Sequence, residues 1–261
     1  MKRTTLLAAA LTAALLGTAA IAAHGTHSAA TPAYVTAALA DPGRPKDDTD
    51  LDADRKPGET VAFAGIKPGS KVMDLVQGRG YFTRIFAKVV GGKGYVYAFA
   101  PSELDAMVLK RLPPGTDLKK QFYNYSNVAV LHGPVNNLAA PESLDVVFTA
   151  QNYHDFHDPF FAPADVALIN KAIYAALKPG GYYVLIDHSA PAGSGLAATN
   201  TTHRIDEETL KKEVLAAGFK LVAEGSFLRN PADPRDKLVF DPSIRHHTDQ
   251  FILKFQKPRA H

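Results

Sequence analysis

The chain has 261 residues, 46% of them hydrophobic and 21% charged, and it contains no cysteine. That length suits one sizeable core and is short for two domains, and the composition excludes wholesale disorder and fibrous repeats. The missing cysteines exclude disulfides, zinc–thiolate centres and a thiol nucleophile.

The amino terminus reads as an export signal. Lys2 and Arg3 are a short basic region, Leu6 to Ala23 is apolar, and Ala20-Ile21-Ala22 gives a small-x-small cleavage pattern, with Ala38-Leu39-Ala40 as a later option. Residues 1–23 are therefore expected to be a cleaved signal peptide, giving a periplasmic or secreted protein with no stable membrane insertion. Losing Lys2 and Arg3 takes 29 basic against 26 acidic residues to 27 against 26. A near-neutral mature chain argues against a nucleic-acid partner.

Residues 24–56 read as a loose leader followed by a short helix near Asp50 to Arg55, its charges forming a solvated face. From residue 61 the pattern alternates between strands and helices. Lys71–Leu75 is a strand after the turn Lys67-Pro-Gly-Ser70, Phe82–Val90 a helix ended by Gly91-Gly92, and Tyr95–Ala100 a second strand. Ser102 opens a helix with Asp105 in a capping box. Asn127–Leu131 and Leu144–Thr149 are further strands. Val166, Ile169, Ile173 and Leu177 lie on one helical face, and Lys178-Pro-Gly-Gly181 ends that helix. Tyr183–Ile186 is the fifth strand. Asp206 caps a helix that Gly218 stops, and Phe219–Ala223 and Phe251–Phe255 complete seven strands. Such alternation predicts an α/β fold whose parallel sheet is covered on both faces, with ligands at the carboxyl ends of the strands.

The most informative stretch is Val72-Met-Asp-Leu-Val-Gln-Gly-Arg-Gly-Tyr-Phe-Thr83: a strand, an acid, a glycine-bearing turn and a helix start. Glycines at such a turn let backbone approach a ligand closely. The segment resembles the first motif of class I S-adenosylmethionine-dependent methyltransferases. Asp145-Val-Val-Phe148 with Asn152-Tyr-His154, and Leu177-Lys-Pro-Gly-Gly181 with the strand after it, resemble that family's fourth- and fifth-strand segments. The downstream runs Ile186 to Ala190, Thr202-His-Arg-Ile-Asp206, Leu228-Arg-Asn-Pro231 and Val239-Phe-Asp-Pro242 resemble a secreted subgroup of predicted methyltransferases. The resemblance implies a Rossmann-like three-layer sandwich over residues 57–261, with a seven-stranded, mostly parallel sheet and an antiparallel last strand.

It also implies S-adenosylmethionine as cofactor and a small-molecule substrate, methylated on oxygen or nitrogen. Asp74 would receive the cofactor ammonium, Gln77 would offer its amide to the carboxylate, and Gly78 and Gly80 would give backbone access. Ala100 ends strand two where the family has a ribose-binding acid, with Glu103 just inside the following helix, and Gly133 follows strand three near the adenine edge. Val76 replaces the motif's first glycine, and a β-branched residue resists positive φ.

The run Gln151 to Asp158 follows strand four at the ligand mouth. His154 is the candidate general base, with Asp155 or Asp187 to orient it, His188 is a second catalytic candidate, and Tyr153 a substrate contact. Arg229 and Arg245, in the long 227–248 segment, can clamp an anionic substrate. His154, Asp155, His157, Asp158, Asp187 and His188 have ligand chemistry suited to a metal, but their spacing matches no zinc motif and no metal ligand is assigned. Two other readings stay open: a binding protein without methyl transfer on the same fold, and a metal-assisted enzyme using the His/Asp cluster.

Overall fold

A computed structural model describes residues 31–109, 120, 122, 124–162 and 164–259. The expected signal peptide lies outside them. The later cleavage option falls within α1 (Ala33–Leu39), where Val35 is fully buried, so a cut after Ala40 would remove a packed helix.

Seven strands form one sheet: β1 (Lys71–Leu75), β2 (Tyr95–Pro101), β3 (Val128–Gly133), β4 (Leu144–Ala150), β5 (Leu177–His188), β6 (Lys220–Gly225) and β7 (Gln250–Gln256). Their order is β3-β2-β1-β4-β5-β7-β6. The pairs from β3 through β5 are parallel, and β7 runs antiparallel to both of its neighbours. Strand order reverses between β1 and β4, so their carboxyl ends splay apart and leave a crevice.

The sheet is buried on both faces. One side packs against α1, α4 (Pro57–Ala64) and α5 (Tyr81–Val90), around Phe82, Phe86 and Phe148. The other packs against α7 (Val166–Ala176) and α9 (Glu207–Ala216), around Tyr183, Phe251 and Phe255. Near-continuous burial of β1 and β4 is what a central parallel strand requires. The capping expected at Asp206 is present, its carboxylate accepting from Glu208 N–H at 3.3 Å.

Two local expectations are corrected. Leu177 does not continue the helical face; it pairs with Leu144 as the first residue of β5, because Pro179 cannot continue the helix. Ser102 makes no capping box. Residues Ser102–Leu104 form a 3₁₀ turn ahead of α6 (Asp105–Leu109), and the Ser102 side chain caps nothing.

Of the segment read as a loose, solvated leader, the described residues 31–56 are docked. Here α2 (Lys46–Thr49) and α3 (Asp52–Arg55) lie across the crevice. Arg84 of α5 grips Asp48 through two bonds of 2.7 and 2.9 Å, both side chains only 8% exposed. Arg44 meets Asp52 in the same forked way, at 2.6 and 2.7 Å, and the Tyr81 hydroxyl donates to Asp52 at 2.7 Å. Charge patterning placed these acids on a wet face because it carries no information about a partner 36 positions away.

Asp48→Ala leaves the Arg84 guanidinium buried without its carboxylate. It is expected to destabilise the protein by about 3 kcal/mol in denaturant titration and to expose residues 40–56 to limited proteolysis. Unchanged stability and cleavage would contradict this docking.

Candidate functional site

The crevice between β1 and β4 holds a cavity of about 220 Å³. Its floor is Asp74, Val76, Gln77 and Gly78 after β1, one wall is Ala150, Gln151 and Asn152 after β4, and its roof is Asp47, Asp48, Leu51 and Arg55 from α2 and α3.

Two residues turn the strand ends away from each other. Val76 has φ 60° and Gln151 φ 62°, both in the left-handed region. The Val76 and Gln77 N–H groups both donate to Phe99 O, at 3.0 and 3.3 Å, and Thr149 Oγ1 donates to Leu75 O at 2.9 Å. Asn152 Nδ2 spans the gap, donating to Ala150 O at 2.6 Å and Val76 O at 3.4 Å. The Val76 side chain is 7% exposed and belongs to the apolar cluster with Met73, Leu75 and Phe99. The turn is therefore left open beside the valine, and Val76 supplies the bend expected of a glycine.

Gly78 has φ 53° and open space where a Cβ would stand, so backbone faces the cavity. Gly80, at φ 78°, serves packing instead, because a Cβ there would meet the Phe122 ring at 2.5 Å. Asp74 is buried, and Thr83 Oγ1 donates to its Oδ2 at 2.5 Å. Burial pushes its carboxyl up to about 7, against the opposing pull of Thr83, Arg55 and Arg84. Gln77 Oε1 is buried against the cavity with no hydrogen-bond partner among the described residues, an acceptor available to a ligand N–H. Donor and acceptor are thus the reverse of the amide-to-carboxylate contact expected of Gln77.

These features fit the amino-acid half of S-adenosylmethionine: an acid for an ammonium, an unused acceptor and an open glycine turn. The ribose side shows no free acid among the described residues. β2 runs one residue past Ala100, which the sequence reading took as its end, to Pro101, and the Glu103 carboxylate is already taken by the Val135 N–H at 2.9 Å. Gly133 sits in register with Pro101 at the end of β3, outside the cavity lining.

The histidine expectations change most. His154 is buried, its Nδ1 2.7 Å from Asp187 Oδ1 and its Nε2 3.1 Å from Asp155 Oδ1. Burial alone would lower its pKa, but the two carboxylates outweigh that and raise it to about 10. An imidazole held between two carboxylates and outside the cavity lining is not poised as a base for that cavity. His188 is buried against Thr248 Oγ1 at 2.8 Å, and burial pushes it down to about 3, so it stays neutral and also lies outside the lining.

Tyr153 is not a substrate contact. It is fully buried, donating to Glu213 at 3.0 Å and accepting from Asn170 at 2.8 Å. Arg229 is not a free anion clamp either, since Glu207, Asp249 and the Ser189 hydroxyl occupy its guanidinium. Arg245 is exposed and away from the cavity lining. His157 leaves the expected cluster for Glu213, at 3.2 Å. In its place comes His203, from the run Thr202 to Asp206, a motif legible in the sequence whose spatial partners were not.

No family profile matches the chain. It is 27% identical over 197 residues to the ubiquinone/menaquinone biosynthesis C-methyltransferase UbiE of Shewanella oneidensis, covering 75% of this chain and 67% of that one. Among solved structures it resembles a SAM-dependent methyltransferase from Aquifex aeolicus (18% identity, 82% and 98% coverage, TM-score 0.52). It also resembles an arsenic(III) S-adenosylmethionine methyltransferase from Chlamydomonas reinhardtii (20%, 88% and 74%, 0.53). The architecture is the Rossmann-like class I methyltransferase fold, and the chain is homologous to UbiE-type methyltransferases.

Asp74 gives the ligand-free protein a pH signature. Folded, its carboxyl holds a proton up to about 7; unfolded, it releases it near 3.8, so stability falls as pH rises between these values and levels off above. Asp74→Asn removes that slope and raises the melting midpoint above pH 7. Melting curves of the two proteins that run parallel from about pH 4 to about pH 8 would refute the assignment.

Proposed function

We propose that this protein is an S-adenosylmethionine-dependent methyltransferase acting on a small molecule, with the amino-acid end of the cofactor seated between Asp74, Gln77 and Gly78. The observation that carries this reading is the buried, unpartnered Gln77 Oε1 facing a cavity floored by a buried acid. A buried acceptor left bare beside a cavity calls for a donor, and a ligand N–H would supply it. Homology to UbiE-type enzymes supports the same cofactor.

The cofactor supplies an activated methyl group on a sulfonium. The chain's own residues bind and exclude water. Asp74 becomes fully ionised when an ammonium lies against it, Gln77 fixes that ammonium, and α2 and α3 roof the site through the Arg84–Asp48 grip. Of the titratable side chains lining the cavity, Asp47 and Asp48 are paired with Arg79 and Arg84, and Tyr81 is committed to Asp52. Among the described residues no histidine lines it. On this reading transfer depends on positioning.

An oxygen or nitrogen acceptor is the reading adopted. A carbon acceptor, the chemistry in the name of the Shewanella relative, is the alternative, and NMR of the methylated product separates them. Export, supported by residues 2–23 of the sequence, is part of the same reading and is tested by cell fractionation.

Calorimetry with S-adenosylmethionine on the mature protein is expected to show saturable one-site binding. Gln77→Leu should weaken it by about tenfold, and Asp74→Ala should abolish measurable heat. Absence of heat with the parent protein at millimolar cofactor would sink the proposal.

A further inference from the structure

Three side chains outside the cofactor cavity turn their ligand atoms toward one point. His154 Nε2 lies 3.1 Å from Asp155 Oδ1 and 3.3 Å from His203 Nδ1, and His203 Nδ1 lies 3.4 Å from Asp155 Oδ1. Bonds of about 2.0–2.1 Å to a tetrahedral ion put neighbouring ligand atoms about 3.3 Å apart. As hydrogen bonds the same contacts are poor, since two of the three edges exceed the ordinary range of about 2.7–3.2 Å.

The surroundings hold these atoms in place. Asp187, wholly buried at the end of β5, takes His154 Nδ1 at 2.7 Å and also accepts the backbone N–H groups of His154 and His188, at 2.9 and 2.8 Å. A carboxylate behind one ring nitrogen, leaving the other to face inward, is how metal-ligating histidines are supported. His203 is fixed from the opposite side. It sits at φ 53°, where histidine is uncommon, and is followed by Arg204, itself wholly buried and forked onto Asp233 at 2.8 and 3.2 Å. That anchor maintains the backbone angle that aims Nδ1 at the other two ligands.

Acidic side chains gather around the triangle. Asp158, only 2% exposed, adds a carboxylate with neither oxygen in a hydrogen bond of ordinary length. Among the described residues no lysine or arginine pairs with Asp155, Asp158 or Asp187. Such a field draws in a cation.

We propose that His154, Asp155 and His203 bind a first-row divalent transition metal of the zinc class through three protein ligands and one exchangeable position. Two imidazole nitrogens in a set of three disfavour magnesium and calcium, which prefer oxygen. The open side lies past His203, whose side chain is 24% exposed between Phe160 and Phe240, ring centroids 6.4 and 5.3 Å away. Three protein ligands with an accessible fourth side resemble catalytic rather than structural zinc sites.

The test uses the full mature chain purified without a histidine tag, stripped by chelator, and titrated with zinc and then cobalt. One equivalent of zinc per chain is expected by elemental analysis, with a raised melting midpoint and cobalt absorption bands of a low-symmetry, four- or five-coordinate centre. Asp155→Asn and His203→Asn should each weaken binding by about a hundredfold; asparagine tolerates the left-handed angle at position 203, so the fold is kept. Metal-free melting midpoints close to the parent's confirm that. Zinc bound below a tenth of an equivalent overturns the proposal. So does undiminished binding in both variants, which would move the metal to surface histidines such as His246 and His247.

Discussion

The site depends on how two neighbouring strands end. β1 and β4 both leave the sheet through a side-chain-bearing residue in the left-handed region, Val76 and Gln151. For valine this is costly, on the order of 1–3 kcal/mol, and it persists only because the surroundings over-determine it. The Phe99 carbonyl takes two successive N–H groups, Thr149 and Asn152 hold the flanking carbonyls, and the isopropyl group is committed to the core. The crevice is thus an outcome of packing. The apolar cluster below holds the turn, and the turn holds Asp74, Gln77 and Gly78 in one arc.

A second layer of organisation is electrostatic and long-range. The roof of the cavity belongs to α2 and α3, yet it is fastened by a side chain of α5. The loop carrying His203 is fastened by Arg204 to Asp233, in the long segment before β7. Buried pairs of this kind add little net stability compared with apolar contacts of the same volume. What they supply here is placement. Each joins a flexible stretch to the rigid sheet at one defined point, and each lies within a few residues of a group that faces a site.

The sheet was legible because its signals are periodic and local: apolar runs bounded by Pro-Gly turns, and an acid–glycine turn between a strand and a helix. The floor of the cavity was legible for the same reason, since Asp74, Gln77 and Gly78 sit within five residues. What the sequence hid was pairing at a distance. His154 reads as a base from its place after β4, but two carboxylates, one of them 33 positions away, face its nitrogens and turn it away from the cavity. Tyr153, its neighbour, turns to the opposite face and is consumed by Glu213 and Asn170. Arg229 reads as a free cation only while Glu207 and Asp249 are out of view. Val76 shows the converse, a residue whose chemistry argues against a turn that its neighbours nonetheless impose.

The position of β7 bears on how the chain reaches this state. β7 follows both β5 and β6 in the chain yet lies between them, so β6 has no sheet partner until residues 250–256 are made. Assembly of that half of the sheet therefore waits on a strand made after both of its neighbours, and a nascent chain arrested short of residue 250 would carry β6 as an unpaired edge. Closing such contacts, far apart in sequence, slows folding.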